Sequence, residues 1–344
     1  MIPLDNRSVA IVLVNWNGAD DTIACIKSIN ALNPVKANLL IIVDNASSDY
    51  SIKKITSSLT EAGYTEKQLS NFSSLSKEIS TITAFSETLE ENNQIFLVSN
   101  KSNLGFAAAN NIGYKVAKFI EEIDYLWFLN NDTEVEPNCL SKLLNRMNQD
   151  STIGICGATL LHDKVNKIVQ AYGGVKYSLI TGRGKHIGAG DVFSEPKDNA
   201  LIEKDISYIS GASMFVSVKF IDSIGLMCEK YFLYNEEVDW AWRAKKQFKL
   251  GVETSAVVYH KEGASIGTES RERPASVLSD FYQTRNKLLF AKEYTPWFLP
   301  TIWIFLMIRA VKRWHSGHKA NAMIMFKVLF GKRKADPIWF LKRQ

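Results

Sequence analysis

The sequence predicts an α/β fold: a mostly parallel central sheet flanked by helices, with a helical appendage at the C-terminal end. Three observations lead there. Four short runs, 9–14, 39–43, 95–98 and 125–129, are apolar throughout rather than alternating, as expected of strands buried on both faces of a parallel sheet. The stretches between them carry helical periodicity, and strand–helix alternation brings right-handed crossovers. Every run also ends in Asn, Asp or Ser, and open α/β sheets bind ligands beyond the carboxyl ends of their strands.

The first run, Val9–Val14, leads into a helix carrying Ile23, Ile26 and Ile29, with Asp21-Thr22 placed to cap it. The second, Leu39–Val43, is followed by 51–94, where 15 of 44 residues are Ser or Thr and only Ile52, Ile55 and Leu59 hint at a helix. This segment reads as a surface insertion ending in Glu90-Glu91-Asn92-Asn93. After the third run, a helix begins near Gly105 and lines up Ala109, Ile112, Val116 and Ile120. The fourth, Tyr125–Leu129, closes the regular part. Beyond residue 150, strands are expected at Ile153–Cys156, Ile206–Ile209 and Val252–Tyr259, and a helix at Asn235–Lys246. The division is a first domain over 1–265 and a basic, aromatic helical region over 266–344.

Composition narrows the class. With 46% hydrophobic and 22% charged residues, the 344-residue chain is neither disordered nor a polytopic membrane protein. Four cysteines without C-x-x-C spacing argue against a thiolate zinc site or disulfide framework and suit a reducing compartment. The N-terminus lacks the features of a signal peptide, which points to a cytoplasmic protein. Net charge is +5, but residues 271–344 hold 15 Lys and Arg against 4 Asp and Glu, while residues 1–270 hold 26 against 32. The uncharged stretch Tyr294–Ile308 is shorter than the ~20 residues that span a bilayer. With the apolar 320–330 and Lys332-Arg333-Lys334, it suggests interfacial helices at the inner face of the cell membrane. The alternative is a helical pair packed on the domain or on a second subunit of a homodimer. Nucleic acid is set aside, because the half of the chain with the candidate chemistry is acidic.

The strand ends supply that chemistry: Asn15-Trp16-Asn17, Asp44-Asn45, Ser99-Asn100 and Asn130-Asn131-Asp132. Trp16 could stack on a base, Asp44 could accept hydrogen bonds from base or ribose, and Asp132 could hold a hard divalent cation. Each alone is also an ordinary turn residue. The loop Asn103-Leu104-Gly105-Phe106 offers close backbone approach and free amides to a polar ligand, or is simply a helix cap. Asp239 and Arg243 are i, i+4 and suit a structural pair or a ligand contact. Trp240 and Trp242 suit core, interface or sugar platform. His162 and His186 read as surface residues, and Gly182-Arg183-Gly184 does not complete a dinucleotide fingerprint.

Val14-Asn15-Trp16-Asn17-Gly18, Val43-Asp44-Asn45-Ala46-Ser47-Ser48-Asp49, Asn103–Ala107 and Leu129-Asn130-Asn131-Asp132 occur in this order. Gly211-Ala212-Ser213-Met214, Tyr234–Arg243 and Tyr259-His260 follow them. Together they resemble the inverting glycosyltransferases of family 2, over roughly residues 8–265, and within them rhamnosyltransferase-like members that build surface polysaccharides. The resemblance implies a GT-A, Rossmann-like fold, and a nucleotide site at Asn15, Trp16, Asn17, Asp44, Asn103, Gly105 and Asn131. It implies Mg²⁺ or Mn²⁺ at Asp132 and His260, with Asn replacing the leading carboxylates of the usual D-x-D element. Glu237, with Glu236 second, would be the catalytic base, and Gly211, Ala212, Asp239, Trp240 and Arg243 would contact donor or acceptor. The implied substrates are a nucleoside-diphosphate sugar and a glycan or polyprenyl-linked glycan acceptor. A sugar-phosphate nucleotidyltransferase would want a basic Gly-rich loop after the first strand, where Asn15–Asp20 has no basic residue. A non-catalytic scaffold would not need Asp132, Glu237 and His260.

Overall fold

The computed structural model describes residues 7–70, 72, 75–86, 94–261 and 275–331. The strands are β1 (Val9–Asn15), β2 (Leu39–Asp44), β3 (Thr65–Gln68), β4 (Ile79–Ser86), β5 (Gln94–Asn100), β6 (Tyr125–Asn130), β7 (Thr133–Val135), β8 (Ile153–Leu161), β9 (Val169–Tyr172), β10 (Gly174–Ser178), β11 (Arg183–His186), β12 (Tyr208–Ile209), β13 (Ser213–Ser217) and β14 (Lys249–His260). The helices are α1 (Ala19–Asn30), α2 (Ser51–Glu61), α3 (Phe106–Ile120), α4 (Cys139–Gln149), α5 (Asn199–Glu203), α6 (Val218–Ile224), α7 (Glu236–Ala244), α8 (Val277–Tyr294), α9 (Leu299–His315) and α10 (Lys319–Leu329).

The main sheet runs β3-β4-β5-β2-β1-β6-β13-β8-β14-β7, and β9 pairs with β8. The four strands read from apolar runs form its parallel heart, β5-β2-β1-β6. They are buried on both faces as their composition requires. In β1, Val9, Ile11 and Leu13 pack into one core layer and Ala10 and Val12 into the other. The register sets Asn15 beside Asp44, Asp44 beside Ser99, and Val14 beside Asn130, so the polar strand ends share one rim. Strand β13 joins β6 and β8 antiparallel, which brings the start of β13 to the same rim.

Two expectations need correction. Helix α1 starts at Ala19 after Gly18, and Thr22 does not cap it; its hydroxyl donates inward to Asn15 Oδ1 and Gly18 O at 2.9 Å. The segment 51–94 is more than a surface insertion. It supplies α2, which buries Ile55 and Leu59, and β4, which joins β5 antiparallel and buries Ile79, Ile82 and Phe85. Each such side chain contributes ~1.5–3 kcal/mol by leaving water. Ile82 and Phe85 enter opposite core layers, and the register shifts between Ile79 and Thr81. The apolar spacing of three therefore imitates neither a helix nor an alternating strand. Glu90-Glu91-Asn92-Asn93, the expected boundary at 265–266 and Lys332-Arg333-Lys334 lie outside the described residues.

The C-terminal region is a three-helix unit. Helices α8, α9 and α10 share a core of Phe281, Leu288, Ile302, Leu306, Met325 and Val328, and it continues onto Leu233, Phe232 and Tyr234 of the loop before α7. Asp280 of α8, fully buried, pairs with Arg309 at 2.9 Å and Arg313 at 3.2 Å from α9 and accepts from Asn321 of α10 at 2.9 Å. Among the described residues no helix is long and apolar enough to cross a membrane.

Candidate active site

The rim of β1 and β2 is a closed polar network. Asp44 is fully buried and accepts from Asn15 Nδ2 at 2.7 Å, Ser47 Oγ at 2.7 Å and Ser47 N at 3.0 Å. Asn131 Nδ2 donates to Thr22 Oγ1 at 3.0 Å and lies 3.4 Å from Asn15 Oδ1. Asp44, expected at the nucleotide, is enclosed in this arrangement and holds Ser47 and Asn15 in place. The surface of this rim belongs to partly exposed Trp16 and to exposed Asn17, whose Oδ1 accepts from Ser48 N at 2.8 Å.

Asp132 and His260 meet because β7 and β14 pair antiparallel, Thr133 opposite His260. His260 Nε2 is 3.2 Å from Asp132 Oδ1 and 3.3 Å from Asn130 Nδ2, and Nδ1 is 2.8 Å from Gln170 Oε1. An amide oxygen only accepts, so Nδ1 donates to Gln170; a protonated ring then donates from Nε2 to Asp132, and a neutral ring offers its Nε2 lone pair to a cation. Burial pushes the Asp132 carboxyl up, but the hydrogen bond and charge of His260, with Lys261 nearby, outweigh it and hold it below the ordinary carboxylate range. Two lone-pair donors 3.2 Å apart, close to the ~3 Å between adjacent ligands of an octahedral Mg²⁺, fit a hard cation. Among the described residues no group of three or more His, Cys, Asp or Glu gathers for a metal, so these two would need oxygens from a ligand to complete a shell.

The acidic pair opens α7. Glu236 is 2% exposed, and its Oε2 has no hydrogen-bond partner. Burial first, then the charge of Glu237, pushes its carboxyl well above the ordinary value. Glu237 is partly exposed, with its carboxyl pushed up to about 7 by burial against the lowering effect of its own amide and that of Gly211. Contacts join this pair to the cation site. Gly211 abuts Glu237, the carbonyl of Ala212 accepts from Asn130 N at 3.0 Å, and Asn130 touches His260.

A Cβ on Gly211 would lie 2.4 Å from Glu237 Oε1, the mobile end of a side chain. Gly211→Ala is therefore expected to fold with little change in melting temperature but to displace the carboxylate. Since a misplacement of about 1 Å can cost ~10²-fold, kcat should fall by that order with donor affinity unchanged. Unchanged kcat would dismiss the contact as incidental.

The loop feeding α7 is strained: Phe232, Tyr234 and Asn235 all have positive φ, at 64°, 68° and 77°. Asn286 of α8 holds it by donating to the carbonyls of Tyr231, Leu233 and Tyr234 at 2.7–2.9 Å. The Phe232 carbonyl in turn accepts from Phe106 N at 2.7 Å, and a Cβ at Gly105 would come within 2.3 Å of it. This corrects the expectation for Gly105, whose close backbone approach is to Phe232 rather than to a ligand. Asn103 is a brace, accepting from Asn45 Nδ2 and Gly105 N at 2.9 Å.

Three more residues expected at donor or acceptor are engaged in packing and pairing. Trp240 is 1% exposed, packed edge-on against Phe128 and Phe220, with its indole donating to Gly225 O. Asp239 and Arg243 pair at 2.8 Å, and Arg243 also donates to the Ile224 and Leu226 carbonyls. All three orient α7. The residues that sequence reasoning missed are Ser47, Gln170, Tyr208 and Asn286. Ser47 lies inside the quoted Asp44–Asp49 string. Burial first, then the charge of Glu237, pushes the Tyr208 hydroxyl up, and its ring lies edge-on to Tyr177. His162 is exposed and His186 partly buried on β11.

Residues 79–208 match the sequence profile described as Glycosyl transferase family 2. No curated protein sequence matches the chain significantly. Among solved structures, GalNAc-T7 with UDP, GalNAc and Mn²⁺ is similar at a TM-score of 0.58 and 13% identity, over 98% of this chain and 56% of its own. The chain thus spans little more than half of that protein. The mannosyltransferase PcManGT from Pyrobaculum calidifontis, in complex with GDP-Man and Mn²⁺, is similar at 0.52 and 12% identity, over 96% of this chain and 89% of its own. The chain therefore has a GT-A-like fold, and its residues 79–208 match the Glycosyl transferase family 2 profile.

Proposed function

We propose that the protein transfers a sugar from a nucleoside-diphosphate donor to an acceptor hydroxyl with inversion at the anomeric carbon. One observation carries the reading: a carboxyl tuned to about 7, Glu237, is joined through Gly211, Ala212 and Asn130 to the Asp132–His260 pair at the sheet rim. Glu237 takes the hydroxyl proton as the acceptor oxygen bonds to the anomeric carbon. The bond from that carbon to the diphosphate breaks, and its electron pair leaves with the nucleoside diphosphate. Trp16 and Asn17 receive the nucleoside over the floor made by Asn15, Asp44 and Asn131. Asp132 and His260 would hold Mg²⁺ or Mn²⁺, which neutralises charge on the departing diphosphate. The Mn²⁺ named with both similar structures supports a divalent cation. Uridine or deoxythymidine diphosphate and L-rhamnose are the first candidates, supported by the motif resemblance. A glycan or polyprenyl-linked glycan in surface polysaccharide synthesis is the acceptor class.

Calorimetric titration with UDP, dTDP and GDP, with and without Mn²⁺, tests the donor half. Binding should need the cation, and Asp132→Asn should weaken it by at least the roughly 10–100-fold that loss of a mere outer-shell partner costs. Cation-independent binding, or none to any nucleotide, would overturn the reading.

A further inference from the structure

Helix α9 is apolar on both sides. Its inner face buries Ile302, Leu306 and Ala310 and turns Arg309 and Arg313 to Asp280. Its outer face leaves Ile304 54%, Ile308 50% and Val311 41% exposed, and Trp297 before it and Trp314 near its end are 72% and 44% exposed. At 100° per residue, 304, 308 and 311 fall on one stripe, and a helix apolar all round ordinarily has a second apolar surface against it. The stripe continues onto the β10–β11 hairpin, where exposed Ile180 accepts through its carbonyl from Thr301 at 2.8 Å.

The charge around this face selects the occupant. Residues 295–331 contain no Asp or Glu; Arg309 and Arg313 turn inward to Asp280, and three lysines remain for the surface. Lys312, Lys319 and Lys327 are exposed, and Lys319 lies over the Trp314 ring at 5.8 Å. In a symmetric pairing of two copies the patch meets itself, setting like charges together. A tryptophan at each end and lysines along an exposed apolar stripe match the boundary between acyl chains and anionic headgroups. We propose that the outer face of α9, with Ile180, docks in the plane of an anionic lipid bilayer. The helix lies along the surface and does not cross it.

Flotation of the full chain with phosphatidylcholine vesicles, with and without phosphatidylglycerol, tests this. It needs no nucleotide, so its failure is distinct from failure of the proposed reaction. Binding should require phosphatidylglycerol and weaken at high salt. The double variant I304D/I308D should bind at least roughly tenfold less, with unchanged melting temperature. K312E/K319E should lose the preference for anionic vesicles. Absence of wild-type binding, or undiminished binding by I304D/I308D, would overturn the proposal. So would sedimentation showing a wild-type dimer that I304D/I308D turns into a monomer, because the face would then belong to a second copy.

Discussion

Replacing Glu237 by Gln is expected to lower sugar transfer by about 10²–10⁴-fold, the contribution of a positioned general base. Nucleotide binding, measured by calorimetry, should not change, because Trp16, Asn17, Asp132 and His260 are untouched. The choice between the two carboxyls follows from burial. Glu236 is enclosed and held well above the ordinary range by burial first and by the charge of Glu237, so it is the poorer candidate for a proton acceptor. Glu237 reaches solvent and ionises near 7. Glu236→Gln nearly copies a protonated carboxyl and should cost far less. The pH profile has a definite sign: a base works deprotonated, so kcat/KM should rise with pH up to about 7 and then level off. Full activity in Glu237→Gln, or loss in Glu236→Gln alone, would move the base elsewhere.

What the sequence disclosed, and what it hid, has a physical basis. Strands β1, β2, β5 and β6 are apolar on both faces, so their runs mark them and their polar ends mark the rim. Asn15, Asp44, Asn131, Asp132 and His260 could be placed because strand ends of known order must meet there. Strand β4 escaped because Ile79, Ile82 and Phe85 serve two core layers across a register shift. The motifs also mixed two kinds of residue. Gly105, Asn103, Trp240, Asp239 and Arg243 lie in the same strings as Trp16 and Glu237, but they serve packing and loop geometry, and spacing alone does not separate a wall from its support. Gln170 and Asn286 carried no signal, since each acts on a partner 90 and about 50 residues away through one side-chain amide.

Asn286 ties the tail to the chemistry, and Asp280 ties the tail together. Replacing Asp280 by Ala is expected to destabilise the C-terminal helices by about 3–5 kcal/mol, the usual cost of removing one partner from a buried ion pair. Arg309 and Arg313 would lose a carboxylate at 0% exposure, and Asn321 would lose its link between α10 and α8. The consequence reaches α7. Asn286 sits on the same helix and holds the carbonyls of the strained loop that aims Glu236 and Glu237, and Tyr294 at the end of α8 donates to Asp239 at 2.8 Å. Loosening α8 should therefore lower kcat while the proposed metal-dependent nucleotide binding, assigned to Trp16, Asn17, Asp132 and His260, persists. Thermal melting and limited proteolysis should show an earlier transition and cleavage within 275–331, and Asn286→Ala should lower kcat with a smaller loss of stability. A stable Asp280→Ala protein with normal kcat would show that the tail and α7 are mechanically independent.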